Sequence, residues 1–484
     1  MSNTIREKSM NYNLLDEKWI PVLYQDGKYD QVGIFQALTD AHKIRQIAAC
    51  NPMDRVAIFR FLLALLYWCK GNPPGDLPTY AEKAFPNDWF TKLDENRDCF
   101  NLLGNGKRFY QHQAKTGVPD KLTANYLMQE IPTGSNWYHF CHSKDKDNGL
   151  CPACCAKGLL RLPLFATSGG RGKPPGINSK PPIYIIPLGS CLFESLLLSW
   201  QNQKQNELGE PTWVKPDIQL PAKGKVTLLT GLTWLPRRVW LDTPKTDEEN
   251  CIACGVKAKL IKQSVFAGIG STKAESDDER RNWDDPHVIY DNKNVLKPSD
   301  SLKAYDAASG RWTKLVIGIL IQKKAINPHR FIAVSFATIQ NDKYIEAKEC
   351  EVSFNVNTDS FNPQKAVEKI DYWSKENSKL ISRCKPMKSS RKHAEIRPMI
   401  DSVRPHIETQ IFDKIHALLT GGSEAWEQAA GDYSPMMSVV AQSLAPGYTT
   451  AAVQRRREIA AVKPNIKLKM TATDRAGRKK GADA

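Results

Sequence analysis

Two short cysteine motifs constrain this chain more than any other feature. Cys151-Pro-Ala-Cys154 and Cys251-Ile-Ala-Cys254 are C-x-x-C units separated by 96 residues. Each unit can present two thiolates to one edge of a tetrahedral ion, with metal–sulfur bonds of about 2.3 Å. Two units together make a closed four-sulfur site of the structural zinc type, because a catalytic zinc keeps an open position. Such a site would bring together two segments far apart in the chain. Two other readings stand beside it: unrelated redox pairs, or coincidence. A thioredoxin-like pair belongs between a strand and a helix of a βαβ unit, and neither pair reads that way. Cys155, Cys141, His139 and His142 are spare donors nearby.

The remaining pattern predicts an α+β chain. A short strand is expected over Trp19 to Tyr24, with a turn at Asp26-Gly27. The apolar run Val56 to Cys69 is 14 residues long and contains Arg60. A membrane span needs about 20, so this reads as a buried helix, opened by Pro52 and stopped at Gly71-Asn72-Pro73-Pro74. Helices are also expected over Lys121 to Ile131 and Cys191 to Leu208, with loop-rich chain over 133–182. Beyond Lys225 the periodicity shortens. Val226 to Leu229, Val239 to Leu241, Lys314 to Ile321 and Phe331 to Ile339 read as strands. The last of these, with Tyr344 to Phe354, forms a β-hairpin around the polar tip Gln340-Asn341-Asp342-Lys343. Lys273 to Asp300 reads as a charged, exposed loop.

After Asn362 the pattern becomes helical, with Ile400, Val403, Ile407, Ile411, Ile415, Leu418 and Leu419 on one stripe. Further helices are expected over Ala425 to Leu444 and Ala451 to Val462. The division expected is therefore a mixed α/β body over 1–362, a helical bundle over 363–470 and a disordered basic tail over 471–484.

Charge points to a polyanionic partner. Lys and Arg number 68 against 52 Asp and Glu, a formal net charge of +16, and net charge speaks to partners rather than to fold. The excess is concentrated late, at net +6 over 365–400 and +7 over 450–484. Gly169, Gly170 and Gly172, flanked by Arg171 and Lys173, let a backbone approach a nucleic-acid groove; a flexible surface loop is the competing reading. The run is not a phosphate loop, since Pro174 takes the Ser/Thr place. Metalloprotease and serine-hydrolase signatures are absent, and nothing argues for catalysis. With no secretory signal, a reducing cytoplasmic location without membrane association is expected.

Several stretches together resemble one family. Asn13-Leu14-Leu15-Asp16-Glu17-Lys18-Trp19-Ile20-Pro21-Val22, Pro211-Thr212-Trp213-Val214-Lys215-Pro216, Gly231-Leu232-Thr233-Trp234 and the paired cysteines are similar to the large subunit of the type I-E CRISPR surveillance complex, Cascade, the CasA family. The resemblance implies an α/β body with a C-terminal four-helix bundle and a non-catalytic role in recognising DNA. It implies partners: the 5′ handle of a CRISPR RNA, target double-stranded DNA, sibling Cascade subunits and a helicase–nuclease. It implies that Gly169, Gly170 and Gly172 sense a protospacer-adjacent motif (PAM), that Gln340, Asn341, Asp342 and Lys343 enter the minor groove and split the strands, and that Phe140, in a loop at about 134–149, contacts the RNA. Structural zinc would sit on Cys151, Cys154, Cys251 and Cys254. Two departures stand out: family members carry a glutamine where Asp342 aligns, and a PAM-reaching lysine where this chain has Gly268-Ile269-Gly270. Other possibilities are a zinc-containing RNA- or DNA-binding scaffold and the large subunit of another type I subtype.

Overall fold

The computed structural model describes residues 11–75, 84–113, 120–131, 148–166, 173–178, 181–216, 220, 225–269, 283–291, 294–295, 329–339, 343–354, 441–442 and 449–460. The chain divides into two units, Met1–Ala304 with Arg330–Val352, and Tyr305–His329 with Ser353–Ala484.

The first unit is built around one helix. Strand β1 (Tyr12–Asn13) leads to β2 (Ile20–Tyr24), β3 (Tyr29–Val32), the short helix α1 (Ile34–Thr39) and β4 (Ile44–Ile47), and β2 pairs with both β3 and β4 in an antiparallel sheet. Gly27, at φ +85°, makes the expected turn. Next comes α2 (Pro52–Lys70), the expected buried helix. Asn51 caps it by accepting from the Met53 amide, and Pro52 fills the first position, where no amide is needed. Gly71, at φ +82°, ends it. Its side chains are buried on every face, Arg60 among them, which is the signature of a helix wholly inside a core.

Around it lie α3 (Thr91–Glu95), β5 (Asn101–Leu103, paired with β1), β6 (Asp120–Thr123), α4 (Pro152–Phe165), β7 (Tyr184–Pro187), α5 (Leu192–Ser199), α6 (Gln205–Leu208), α7 (Leu228–Thr233), β8 (Arg238–Leu241), β9 (Glu248–Asn250), β10 (Lys257–Lys259) and β11 (Gln263–Ala267). Strands β6, β11 and β8 form one antiparallel sheet. After the small ribbon β12 (Tyr290–Asp291) and β13 (Asn294–Val295) come β14 (His329–Ile339) and β15 (Lys343–Phe354), in a sheet of order β15-β14-β7. The expected hairpin arms are thus present, and three residues between them suit only an antiparallel pair. The helix α8 (Thr450–Ala460) overlaps the helix expected over Ala451 to Val462.

Several expectations are corrected. Lys121 to Ile131 is not a helix: 120–123 is β6 and Ala124–Leu127 is a 3-10 turn. Pairing with β11 decides the conformation, whatever the local propensity. The 133–182 segment is not all loop, because 152–165 is helix α4. Cys191 to Leu208 breaks after Ser199: the Tyr67 hydroxyl and the Asn72 amide capture the backbone of Gln201 and Gln203 in extended form. Val226 to Leu229 is not a strand, since α7 begins at Leu228 and the Thr233 hydroxyl bonds back to the Leu229 carbonyl. Within 273–300, Trp283, Asp285, His287 and Val288 are core residues rather than exposed loop. The strand expected over Lys314 to Ile321, the stripe from Ile400 to Leu419 and the tail beyond 470 lie outside the described residues.

Candidate metal centre and nucleic-acid interface

The two cysteine pairs meet. Their four Sγ atoms all lie within 4.8 Å of one another. The halves are built differently. Cys151 is the N-cap of α4, Pro152 occupies its first position, and Cys154 sits in its first turn. The Cys151 side chain accepts no amide of that helix, so both sulfurs of this pair are left to meet the other pair. Cys251 and Cys254 lie on the turn joining β9 to β10, which pair from Asn250↔Lys257 to Glu248↔Lys259. The Gly255 amide donates to the Cys251 carbonyl at 2.8 Å, and Gly255 sits at φ +73°, a region that favours glycine.

Backbone pairing brings the halves together. Leu150 and Ile261 exchange two hydrogen bonds, of 3.0 and 2.9 Å, and the Ile252 amide donates to the Gly149 carbonyl. A Cβ on Gly149 would stand 2.7 Å from the Ile261 carbonyl oxygen, so only glycine fits there. The Cys151 amide donates to Cys251 Sγ at 3.3 Å.

The donor set fits a thiophilic tetrahedral ion. A bond length of about 2.3 Å implies sulfur–sulfur edges of about 3.8 Å, and Cys151 Sγ lies 3.7 Å from Cys254 Sγ. Thiol donation from Cys151, then Cys154, pulls Cys254 down to about 6 and carries Cys251 well below the ordinary thiol range. The same contacts push the Cys151 and Cys154 thiols up, so the four sulfurs share protons among themselves, and a bound ion would displace those protons because a metal requires thiolates. Cys155 turns away, with its sulfur 4.0 Å from the Leu150 carbonyl, and burial pushes its thiol up. Cys141, His139, His142 and Phe140 lie outside the described residues.

Helix α4 leads from the sulfurs to the glycine run. At 14 residues it is about 21 Å long. It is locked to α2 by Arg161, whose Nε donates to Asp54 at 2.6 Å and whose Nη1 donates to Glu130 at 2.5 Å. Gly169, Gly170 and Gly172 themselves lie outside the described residues, but the neck on either side is described. The Gly176 amide donates to the Ala166 carbonyl at 2.7 Å, and the Ile177 amide to Pro163. Lys173 pairs with Asp120, and Arg237 donates to the Pro174 carbonyl. Lys173 is therefore already engaged by a carboxylate.

The hairpin root adjoins this neck. Strand β14 pairs with β7 from Phe331↔Pro187 to Val334↔Tyr184. The ring of Phe165, the last residue of α4, lies 5.7 Å from that of Phe336 on β14 and 5.5 Å from that of Tyr184. Of the tip, Gln340, Asn341 and Asp342 lie outside the described residues, and Lys343 opens β15. Lys262 is paired with Glu249 at 2.7 Å.

With this geometry in view, the comparison with known families is decisive: the model of the CRISPR-associated protein Cse1 family matches residues 13–386. The chain belongs to the Cse1 family. Its resemblance to the type I-E Cascade large subunit, CasA, is thereby confirmed. A CRISPR-associated protein CasA/Cse1 of Thermus thermophilus is 31% identical over 219 residues, and that match spans 43% of each chain. The fold is similar to that of Thermobifida fusca Cse1, with a TM-score of 0.66 at 17% identity over 93% of this chain and 97% of that one. It is also similar to a chain of a CRISPR RNA-guided surveillance complex, with a TM-score of 0.64 at 14% identity over 93% of this chain and 100% of that one.

Sequence reasoning did not find the buried cluster beside the neck. Arg60 Nη1 donates to Asp285 at 2.5 Å, and Asn178 Nδ2 donates to the other Asp285 oxygen at 2.9 Å. The signal available was Arg60 itself, a charge inside an apolar run; its partner, 225 residues away, left none.

Proposed function

We propose that this Cse1-family chain is the large subunit of a type I-E Cascade and serves as its non-catalytic DNA-recognition subunit. Gly169, Gly170 and Gly172 follow the minor groove at the PAM. The tip Gln340-Asn341-Asp342-Lys343 enters beside them and starts strand separation. A minor groove offers mainly an A·T-against-G·C pattern, which suits a loop without side chains and a short polar tip. Pairing with the guide RNA supplies the remaining sequence specificity. The zinc ion, held by Cys151, Cys154, Cys251 and Cys254, is structural. Phe140 and the 134–149 loop meet the CRISPR RNA handle, sibling subunits complete the assembly, and a helicase–nuclease is recruited after opening. The basic blocks over 365–400 and 450–484 hold DNA by phosphate contacts.

The observation that supports this reading most directly is the contact of Phe165 with Phe336, which joins the root of the glycine loop to the root of the hairpin. Two elements meant to act on one base step need a common base. The test is a complex carrying Gln340→Ala, Asn341→Ala and Lys343→Ala together. It should assemble normally and fail to open target duplex, read by permanganate footprinting. Opening at the unmodified rate would remove the wedge assignment.

A further inference from the structure

We infer that the buried cluster of Arg60, Asp285 and Asn178 is a positioning device that fixes the glycine-loop stem relative to the hairpin root. The inference rests on the reading just given, that loop and hairpin act together on one duplex.

The Asp285 carboxylate is the hub. From α2, Arg60 reaches one of its oxygens at 2.5 Å. From the downstream stem of the loop, Asn178 reaches the other at 2.9 Å. The backbone amide of His287 donates to the first oxygen at 2.9 Å, and His287 Nδ1 lies 3.2 Å from Arg60 Nη1. Three separate segments therefore converge on one carboxylate whose side chain is fully enclosed.

Each arm leads to one of the two DNA-facing elements. Asn178 lies two residues beyond Gly176, the residue that closes the loop neck. A Cβ on Gly176 would stand 2.6 Å from the Pro163 carbonyl oxygen, so the neck closes this tightly only with glycine. Asn178 Nδ2 also lies 3.4 Å from the Tyr184 hydroxyl, which donates to the Leu164 carbonyl at the end of α4 at 3.3 Å. On the other side, the Ile185 amide donates to the His287 carbonyl at 2.7 Å, and Tyr184 bridges Val288. Tyr184 and Ile185 belong to β7, whose partners on β14 are Val334 and Ala333. The Arg60 guanidinium stacks over the Tyr184 ring, 5.3 Å from its centroid.

Burial of ions explains why such a cluster is a positioning device rather than a source of stability. Replacing a buried ion pair by packed apolar residues is often neutral or stabilising. What the polar cluster adds is direction: each donor must lie on a fixed line to one oxygen. An apolar contact in the same place would tolerate sliding of the stem along β7.

The test uses the assembled ribonucleoprotein with Asn178→Ala, which removes the stem's arm and leaves the Arg60–Asp285 pair intact. Three targets are titrated: a duplex with its PAM, the same duplex with the PAM scrambled, and a duplex already opened by mismatches beside the PAM. The expected result is about a tenfold fall in the ratio of the first two affinities, a typical coupling between sites, with the third affinity unchanged. An unaltered ratio overturns the inference. So does a parallel loss on all three targets, which is what a merely structural role gives. Asn178→Asp, which sets two carboxylates face to face, should lower the ratio further. Adding Asp285→Asn to it restores an amide–carboxylate pair of reversed polarity and should recover part of the ratio; no recovery overturns the inference as well. Gly170→Leu is run in parallel. If it lowers the ratio and Asn178→Ala does not, the loop's role stands and the positioning role falls. If Gly170→Leu leaves the ratio unaltered, the loop's reading role falls and the positioning role with it.

Discussion

The sulfur cluster and the Asp285 cluster do the same mechanical job by different chemistry. Each ties segments far apart in the chain, Cys151 to Cys251 in one case and Arg60 to Asp285 in the other. The sulfur cluster is made of soft donors that could hold an ion, and one of its corners, Cys254, is exposed. The Asp285 cluster is complete without an ion, and its carboxylate is wholly enclosed. With the zinc ion proposed above, the first would gain its stability from coordination bonds and lose it with the metal. The second is poised between desolvation cost and charge attraction, so its net effect on stability is small while its effect on geometry is large.

Substitutions can break this comparison, beginning with the sulfurs. Cys151→Ser with Cys254→Ser should reduce bound zinc from one equivalent to none. Structural zinc sites supply on the order of 10 kcal/mol in small domains, so the chain should lose its cooperative thermal transition. Elemental analysis of purified protein reads the metal, and an unchanged content would end the tetrathiolate assignment. The second effect comes from Arg60→Met, which leaves Asp285 buried without its partner and should cost about 3–5 kcal/mol in urea unfolding. Arg60→Met with Asp285→Leu should recover most of that loss, whereas no apolar set should rescue the sulfurs. If the double variant is as unstable as the single one, the two clusters are energetically alike and the contrast fails.

Acidity sharpens the contrast at smaller amplitude. Burial alone would raise the Asp285 carboxyl, but the charge and hydrogen bond of Arg60 outweigh it and hold the group at about 2, against 3.8 for an ordinary aspartate. A carboxyl depressed by folding contributes stability in full above its unfolded value, and that contribution is lost as pH falls through the folded one. The urea midpoint should therefore fall between about pH 4 and about pH 2 through this group, and the Arg60→Met/Asp285→Leu variant should lack that component. The smallest effect is expected from Gly255→Ala. At φ +73° an alanine costs about 1 kcal/mol, read as a drop of about 1 °C in Tm with the metal content unchanged.

These two clusters also mark what the sequence could and could not disclose. Coordination by a C-x-x-C pair is a local pattern, so Cys151, Cys154, Cys251 and Cys254 were legible as a set. Alternation made the arms of the β14–β15 hairpin legible, and an unbroken apolar run did the same for α2. Helix α4 was not, because Pro152, Gly158 and Pro163 resemble loop punctuation; the proline at its first position was the signal that went unread. The β6 segment was misread because its conformation depends on β11, about 140 residues later. The Asp285 cluster has no spacing rule at all. Arg60, Asn178 and Asp285 come from separate segments, and only the finished topology introduces them to one another.

The order in which the two sulfur pairs are made has its own consequence. Ribosomes deliver about 5–20 residues per second, so the 96 residues between the pairs take roughly 5–20 s to emerge. For that interval the nascent chain carries half of the four-sulfur cluster, Cys151 and Cys154 at the start of α4, without the pair that would enclose the proposed ion. With the proposed zinc, metal supply and oxidant level during translation would bear on the yield of correctly closed protein.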